Sequence, residues 1–288
     1  MKANVFARDG LALVSRIHYE GDLTAGIDQA VAAIGGFEKL VDPGDTILVK
    51  PNFNTADPPP ASSDPQFVQA VIKLLYAYGA KRVVLGESSM ISRSTHETLQ
   101  ETGMLQAAQE VGADVVTFDE WVPVETGGRH LTKVALAKTA LEVDKIVYVP
   151  CLKAHRLADF TMSLKLAMGF VRPRDRITMH LWRLREKLVD LNLAIAPDLI
   201  IMDARLCFIS GGPAQGEVRE PGLILASGDR IAIDVEGIRI IQSYPNNSLT
   251  RDPWEFTMIR QAVELELGIT TEAAYQVVAG TVESHVPA

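Results

Sequence analysis

The feature that most constrains the fold is a series of short apolar runs that alternate with helical patterns. The runs are rich in β-branched residues and cover 46–50, 82–87, 114–118, 145–150, 199–204 and 222–227. Strands that are apolar at every position are typical of a sheet covered on both faces. The helical patterns cover 24–35, 65–78, 95–111, 174–195 and 229–243. This alternation predicts an α/β fold with a mostly parallel, layered sheet, right-handed crossovers and helices on both faces.

The 288-residue chain predicts a single α/β body over residues 1–288, because the same alternation runs through most of it. Residues 244–288 are predicted to form a helical C-terminal region that packs on this body. The proline-rich segment 55–65 is predicted to be a stiff loop over the ligand crevice and not a domain linker, since a helical pattern resumes at once.

Charge and cysteine usage exclude several classes of protein. The net charge of −8 argues against a general nucleic-acid binder, which needs a basic face. No stretch approaches the roughly 18 uninterrupted apolar residues of a membrane span. Cys151 and Cys207 lie far apart, so the sequence predicts no disulfide framework and no iron–sulfur cluster. We therefore expect a cytoplasmic protein without nucleic-acid or membrane partners. Whether it forms a homo-oligomer is left open.

Polar side chains follow several of the predicted strands. They are Lys50, Asn52 and Asn54 after the first run, Glu87, Ser88 and Ser89 after the second, Lys153 and His155 after the fourth, and Asp203 in the fifth. In open parallel sheets, ligands bind in the crevice outside the carboxyl ends of the strands. These residues are therefore predicted to meet in one place.

The stretch "CLKAHRLADFTMSLKLAMGF", residues 151–170, carries the candidate catalytic groups. Alternate positions of an extended segment face the same side, which groups Cys151, Lys153 and His155. Cys151 is interpreted as a small buried hydrophobe. Two lysines, Lys153 and Lys165, so close to a histidine favour recognition of phosphate or carboxylate, although a snorkelling lysine also explains Lys165. His155 is the candidate proton-transfer group.

Other candidates come from the second half of the chain. Gly211 and Gly212 allow close approach of the backbone to a ligand, but their spacing matches neither the dinucleotide nor the phosphate-loop motif. Asp234 lies among apolar residues on a helix and is expected to pair with one of the candidate lysines. His180 has apolar neighbours, and a neutral imidazole is the form that acts as a base or a metal ligand.

Taken in order, the motifs "ILVKPNFN", "GAKRVVLGESS", "VYVPCLKAH", "TMSLKLAMGF", "LIIMDA", "GGPAQG" and "LASGDRIAIDVEG" resemble the Domain of Unknown Function 362 family over about residues 45–240. The resemblance implies an α/β protein that sometimes carries iron–sulfur ferredoxin modules, here in its stand-alone form. It implies site positions at Lys50, Asn52, Lys153, His155, Lys165, Asp203 and Asp234. The chain has "LKAH" where the family usually shows "LKTH", and Leu166 where it shows asparagine, so we expect a different ligand from that of its relatives.

The leading hypothesis is a small-molecule enzyme of biosynthetic or redox-linked metabolism, with an anionic substrate at the carboxyl edge of the sheet. Lys50, Lys153 and Lys165 would hold its carboxylate or phosphate. One alternative is a metal-dependent enzyme of the non-haem iron kind, in which the divalent metal is bound by Glu87, His155, Asp203 and His180. Another is a binding protein without catalysis, for an anionic metabolite or cofactor. The cofactor is left open.

Overall fold

The strands and helices follow one another along most of the chain in the computed structural model, which describes residues 3–279. The strands are β1 (Ala12–His18), β2 (Thr46–Pro51), β3 (Arg82–Glu87), β4 (Asp114–Thr117), β5 (Trp121–Glu125), β6 (Lys133–Ala137), β7 (Lys145–Val149), β8 (Cys151–His155), β9 (Asp159–Thr161), β10 (Leu199–Gly211), β11 (Gly216–Arg219), β12 (Leu223–Ser227) and β13 (Tyr275–Ala279). The α-helices are α1 (Leu23–Ile34), α2 (Pro65–Ala77), α3 (Thr95–Glu101), α4 (Met104–Glu110), α5 (Lys138–Glu142), α6 (Ser163–Leu166), α7 (Pro173–Leu181), α8 (Leu184–Ala194), α9 (Arg230–Gln242) and α10 (Thr257–Glu264).

One large sheet runs through the protein in the order β13-β1-β12-β10-β7-β2-β3-β4. Strand β12 is antiparallel to β1 and to β10. The other pairings along this path are parallel. The predicted α/β fold with a mostly parallel sheet is therefore confirmed.

The strands are apolar throughout because each side of the sheet has its own core. In β2, Leu48 belongs to one core, whereas Ile47 and Val49 belong to the other. Helices α6, α8, α9 and α10 contribute to the first core, and α1, α2 and α4 contribute to the second. Helices thus cover both faces, as the uninterrupted apolar runs predicted.

Two predicted helices are interrupted. The pattern over 95–111 divides into α3 and α4 at Gly103, which has a left-handed φ of 77°. The pattern over 174–195 divides into α7 and α8 at Trp182, which is extended, and Arg183, which is left-handed. Hydrophobic periodicity shows which face is buried, but it does not show a change of direction between two short helices.

The C-terminal region was predicted to be helical and is mixed. It contains α10, which packs against α8 and α9, and two short 3-10 helices at Pro253–Glu255 and Glu272–Ala274. It ends in β13, which pairs in parallel with β1 at the edge of the sheet. Residues 280–288 of this predicted region lie outside the described residues, and the single body over 1–288 stays a prediction.

A short extension above the carboxyl edge of the sheet positions the candidate site. The chain of β7 continues past Pro150 as β8, which pairs with β10 and, in antiparallel fashion, with β9. The register with β10 shifts between Asp203 and Cys207, so β10 has extra residues opposite β8. The side chains of β8 therefore stand beyond the ends of β2 and β3.

Across residues 3–279, none of the helices is both long enough and apolar enough to cross a membrane.

Candidate functional site

A pocket of about 150 Å³ lies at the carboxyl edge of the sheet. Its polar lining consists of Lys50, Asn52, Asn54, Thr55, Glu87, Ser88, Lys153, His155, Thr161, Lys165, Arg176 and His180. Its other lining residues are Phe53, Ala61, Leu166, Met168, Gly169, Pro213 and Ala214. Pockets for drug-sized ligands start at about 300 Å³, so this one suits a small molecule. Ala61 and Thr55 belong to the proline-rich segment, which forms part of the wall.

Lys50 and Glu87 form a buried ion pair at the floor of the pocket. They end the adjacent parallel strands β2 and β3, and each side chain is 1% exposed. The ammonium also donates to the carbonyl of Pro51 at 2.8 Å. Burial lowers the pKa of Lys50 and raises the pKa of Glu87, while the contact between them opposes both shifts. Lys50 is therefore engaged within the protein and has little capacity left for a ligand.

Gly169 makes room for this ion pair. A Cβ at residue 169 would lie 2.4 Å from Cε and 2.6 Å from Nζ of Lys50. Its φ is not in the left-handed region, so the requirement for glycine is spatial and not conformational. The glycine of the "LKLAMGF" motif is therefore explained by its close packing against the Lys50 side chain at the floor of the pocket.

Lys153 is buried in the wall of the pocket without a carboxylate partner in the part of the chain that the structure describes. Its ammonium donates a hydrogen bond to the carbonyl of Ala61. Burial lowers the pKa of Lys153 to about 8, although Cys151 and Asp57 oppose the shift. Two of its three N–H groups remain available to a ligand.

Lys165 lies on α6 and lines the same pocket, partly buried. Within residues 3–279, its amine makes neither a hydrogen bond nor an ion pair. Burial, together with the positive charges of Lys153 and Arg176, lowers the pKa of Lys165 to about 7. An amine without a partner and with a pKa near neutrality is a feature of functional sites more than of structural ones.

The imidazole of His155 has a fixed tautomer. Its Nδ1 accepts hydrogen bonds from the backbone N–H groups of Leu157 and Ala158, each at 3.1 Å. Burial, reinforced by Lys165 and Lys153, lowers the pKa of His155 to about 2. The ring is therefore neutral with its proton on Nε2, and it presents a hydrogen-bond donor to the pocket.

Arg176 is a pocket residue that the sequence analysis did not predict. It lies on α7, and its guanidinium donates to the carbonyls of Val171, Ser88, Ser89 and Gly169 at 2.7–3.1 Å. Burial lowers its pKa, and Glu87 opposes this shift. Arg176 thus ties α7 to the loop after β3 and adds positive charge to the pocket. In the sequence, Arg176 lies six residues after the end of the "LAMGF" motif at Phe170, in a segment with two other arginines, Arg172 and Arg174, so the sequence alone does not single it out.

Two polar atoms of the pocket lining are buried and have no hydrogen-bond partner among residues 3–279. They are Oδ1 of Asn52 and Oγ1 of Thr161. Buried polar groups are normally satisfied, so these two atoms are candidates for a hydrogen bond to a water or a ligand in the pocket. Thr161 was not a predicted site residue, although it lies in the predicted stretch.

The family follows from the sequence itself. The profile described as "Domain of unknown function (DUF362)" matches residues 47–239. The chain belongs to the DUF362 family. A thylakoid-associated protein from Synechocystis sp. is 31% identical over 247 residues, which cover 81% of this chain and 74% of that protein.

Two solved structures align with this DUF362 protein at 12% sequence identity. The lactate racemase apoprotein from Thermoanaerobacterium thermosaccharolyticum aligns with a TM-score of 0.45 over 72% of this chain and 53% of its own. A protein from Thermotoga maritima aligns with a TM-score of 0.35 over 84% of this chain and 58% of its own. The DUF362 chain thus spans little more than half the length of these two proteins.

Five of the seven family positions line the pocket of this DUF362 protein, namely Lys50, Asn52, Lys153, His155 and Lys165. Asn54 and Ser88 line it as well, whereas Ser89 does not. Ser89 is buried, and its carbonyl accepts from Arg176. Leu166 also lines the pocket, where it gives the wall an apolar surface.

Asp203 and Asp234 lie outside the pocket lining. Asp203 forms two hydrogen bonds with the guanidinium of Arg205, at 2.9 and 2.7 Å. Asp234 accepts from the backbone N–H groups of Ser163 and Leu164 at 2.8 and 3.0 Å. Burial raises the pKa of Asp234 to about 7. The prediction that Asp234 pairs with a lysine is therefore wrong, because its partners are backbone amides at the start of α6.

The two glycines of the "GGPAQG" motif approach protein backbone and not the pocket. A Cβ on Gly212 would lie 2.0 Å from the carbonyl oxygen of Ala154, and one on Gly211 would lie 2.7 Å from that of Gln215. The residues that follow them, Pro213 and Ala214, line the pocket. The loop formed by this motif therefore contributes to the pocket wall, whereas its two glycines allow the loop to pack closely against neighbouring backbone.

The predicted metal ligands are not brought together. In residues 3–279, no group of three or more His, Cys, Asp or Glu side chains is placed to hold a metal ion. Glu87 is engaged by Lys50, and Asp203 by Arg205. Nδ1–H of His180 donates to the carbonyl of Arg176, and Nδ1 of His155 is occupied by two backbone N–H groups, which leaves the ring proton on Nε2. These four residues therefore do not form the predicted metal centre.

Proposed function

We propose that this DUF362 protein is an enzyme that binds and transforms a small anionic molecule, a carboxylate or a phosphate, at the carboxyl edge of its sheet. The observation that carries the proposal is the charge of the pocket lining. Lys153, Lys165 and Arg176 have no carboxylate partner within residues 3–279, and Glu87, the acidic residue of the lining, is already paired with Lys50. Uncompensated buried positive charge is costly, and a bound anion would offset that cost.

The pKa values of the two lysines favour an enzyme over a binding protein. A site built only to hold an anion works best with permanently charged amines. Burial instead leaves Lys165 with a pKa of about 7 and Lys153 with a pKa of about 8. Groups that titrate near the working pH are suited to proton transfer or nucleophilic attack.

A binding experiment tests the anion site. Acetate, lactate, pyruvate and inorganic phosphate are titrated by calorimetry into wild type, Lys153→Met and Lys165→Met. Lys73→Met, at an exposed position of α2, is the matched control. We expect at least one anion to bind wild type and the control equally, and to bind each pocket variant about tenfold or more weakly. Equal binding by all four proteins, or binding by none, contradicts the proposal.

Turnover is tested on the anions that bind. Proton NMR in deuterated water follows each anion with wild type and with Lys165→Met. Conversion or deuterium exchange with wild type, lost in the variant, supports an enzyme. Binding without any chemical change supports a non-catalytic binding protein instead.

Several finer points stay predictions. They are the placement in biosynthetic or redox-linked metabolism, the cytoplasmic location, and the expectation of no nucleic-acid or membrane partner. The relative from Synechocystis is described as thylakoid-associated, which is a property of that protein.

A further inference from the structure

We propose that Lys165 is a nucleophilic amine that forms an imine with the carbonyl carbon of a small 2-oxo acid. This inference rests on the anion site proposed above and assigns it a substrate class. It makes the pocket a covalent site and not only an electrostatic one.

The contacts of the three pocket lysines select Lys165 for this role. Lys50 is held by Glu87 and the carbonyl of Pro51, and Lys153 donates to the carbonyl of Ala61. Lys165 has no such contact within the described residues 3–279. Its lone pair is therefore free of any protein hydrogen bond once the amine is neutral.

The surroundings of Lys165 favour the neutral amine. The charged groups that shift its pKa are Lys153 on β8 and Arg176 on α7, and both are positive. The other charged groups of the lining, Lys50 and Glu87, are paired with each other. Together with burial they lower its pKa to about 7, so that a large fraction is uncharged at neutral pH. Desolvation beside other cations is a known means of activating lysine toward carbonyl carbons.

The rest of the lining suits a carbonyl compound that carries a carboxylate. Lys153 has N–H groups left to hold the carboxylate, and Nε2–H of His155 is a neutral donor to an oxygen. Oδ1 of Asn52 accepts no hydrogen bond from any of residues 3–279, and the hydroxyl of a carbinolamine intermediate would donate one. Leu166 and Met168 give an apolar wall for a short side chain. The small pocket volume limits the substrate to short 2-oxo acids such as glyoxylate or pyruvate.

The proposed step balances without a redox partner. The Nζ lone pair of Lys165 forms a bond to the carbonyl carbon, and one amine proton moves to the carbonyl oxygen, which gives a carbinolamine. The hydroxyl then leaves as water with the second amine proton, while the C=N bond forms. The ammonium of Lys153 protonates the leaving hydroxyl and regains a proton from the nitrogen.

Reductive trapping tests this inference. Wild type, Lys165→Arg, Lys165→Met and the control Lys73→Met are incubated with pyruvate or glyoxylate and sodium cyanoborohydride. Intact mass and peptide mapping then locate the reduced adduct. We expect one adduct per chain, at Lys165, in wild type and in the control, formed at least tenfold faster than at any other lysine. We expect no adduct at residue 165 in Lys165→Arg, which keeps the positive charge but has no amine that forms an imine.

Lactate separates failure of this inference from failure of the anion site, because it carries the carboxylate but has no carbonyl carbon to attack. If wild type binds lactate but yields no adduct at Lys165, the anion site stands and the imine is overturned. If it binds none of acetate, lactate, pyruvate and inorganic phosphate and yields no adduct, both are overturned, whereas binding of acetate or phosphate without an adduct overturns the imine alone. An adduct spread evenly over exposed lysines also overturns the imine. The wild-type peptide map gives this answer even if the Lys165 variants fail to fold.

Discussion

At the scale of single residues, the hydrogen bonds of His155 determine what its ring can do. Two backbone N–H groups donate to Nδ1, and an N–H group has no acceptor to offer, so the ring proton must be on Nε2. The sequence suggested a proton-transfer group at this position. The structure instead supports a neutral donor that can bind an oxygen of the ligand.

Nitrogen-15 NMR of the histidines tests this tautomer. Because burial and the nearby lysines lower the pKa of His155, we expect its signals to show a neutral ring with Nε2–H throughout pH 5–8. The spectrum of His155→Gln identifies those signals by their loss. A His155 ring that becomes an imidazolium within this range contradicts the assignment.

Gly169 provides a second residue-scale prediction. In Gly169→Ala, the new methyl group collides with the Lys50 side chain, so we expect a loss of about 1–3 kcal/mol in the free energy of unfolding. Denaturant unfolding measures this loss. The same substitution in a Lys50→Ala background, where the colliding atoms are absent, should cost clearly less. An equal cost in both backgrounds would show that the collision is not the cause.

At the scale of elements, the four-residue helix α6 depends on a distant carboxylate for its position. Asp234 of α9 accepts from the first two amides of α6, and Lys165 lies in the same turn. A helix this short has little intrinsic stability. The contact between α6 and α9 therefore helps to hold Lys165 at the pocket.

Replacing this capping carboxylate should affect both stability and binding. In Asp234→Ala, two buried N–H groups lose their acceptor, so we expect a loss of about 2–4 kcal/mol in the free energy of unfolding. We also expect weaker anion binding, because α6 carries Lys165. Asp22→Ala removes an exposed cap of α1 and is the matched control. It should cost about 1 kcal/mol and leave anion affinity unchanged. Unfolding and calorimetry measure both effects, and equal anion affinity in Asp234→Ala and wild type would contradict the role of α6.

At the scale of the whole molecule, the site is a local concentration of positive charge in a protein of net charge −8. The charged and titratable groups of its lining are Lys50, Glu87, Lys153, His155, Lys165, Arg176 and His180. They come from the strands β2, β3 and β8 and from the helices α6 and α7, and the first and last of them are more than a hundred residues apart in the sequence. The net negative charge of the protein therefore does not describe the electrostatic potential inside the pocket, which is set by the nearby positive groups.

The pH dependence of anion affinity follows from the two lysines. A bound anion favours their charged forms and raises their pKa values from about 7 and about 8, so binding takes up protons. Affinity should be highest below pH 7 and should fall as pH rises, by up to about tenfold per pH unit for each lysine that titrates. Calorimetry with lactate, in two buffers of different ionisation enthalpy, measures the affinity and the proton uptake. Lys165→Met should keep only the decrease around pH 8, and an affinity that rises with pH contradicts the prediction.

Much of the fold could be predicted from the sequence because each of its signals is local. The apolar runs that became β2, β3, β7 and β12 lie within one or two residues of their observed ends. The alternation in β8 predicted a common side for Cys151, Lys153 and His155. Lys153 and His155 line the pocket, whereas Cys151 is buried beside Ser63 and does not line it. Strand β13 was missed because an edge strand is stabilised by its partner β1 more than by its own pattern.

The sequence by itself determined the layered α/β fold and the family, and it named nine residues of the pocket lining. It could do so because strand ends and motifs are formed by residues that are consecutive in the chain. Tertiary structure alone decided which acid meets which base. Glu87 forms an ion pair with Lys50, Asp203 forms one with Arg205, and Asp234 accepts hydrogen bonds from two backbone amides. Within the described part of the chain, residues 3–279, those pairings leave Lys165 without a partner, and the fold places Arg176 of α7 in the pocket lining. The physical reason is that the charge state of a buried group depends on neighbours within a few ångströms, and the fold selects these neighbours from distant parts of the chain.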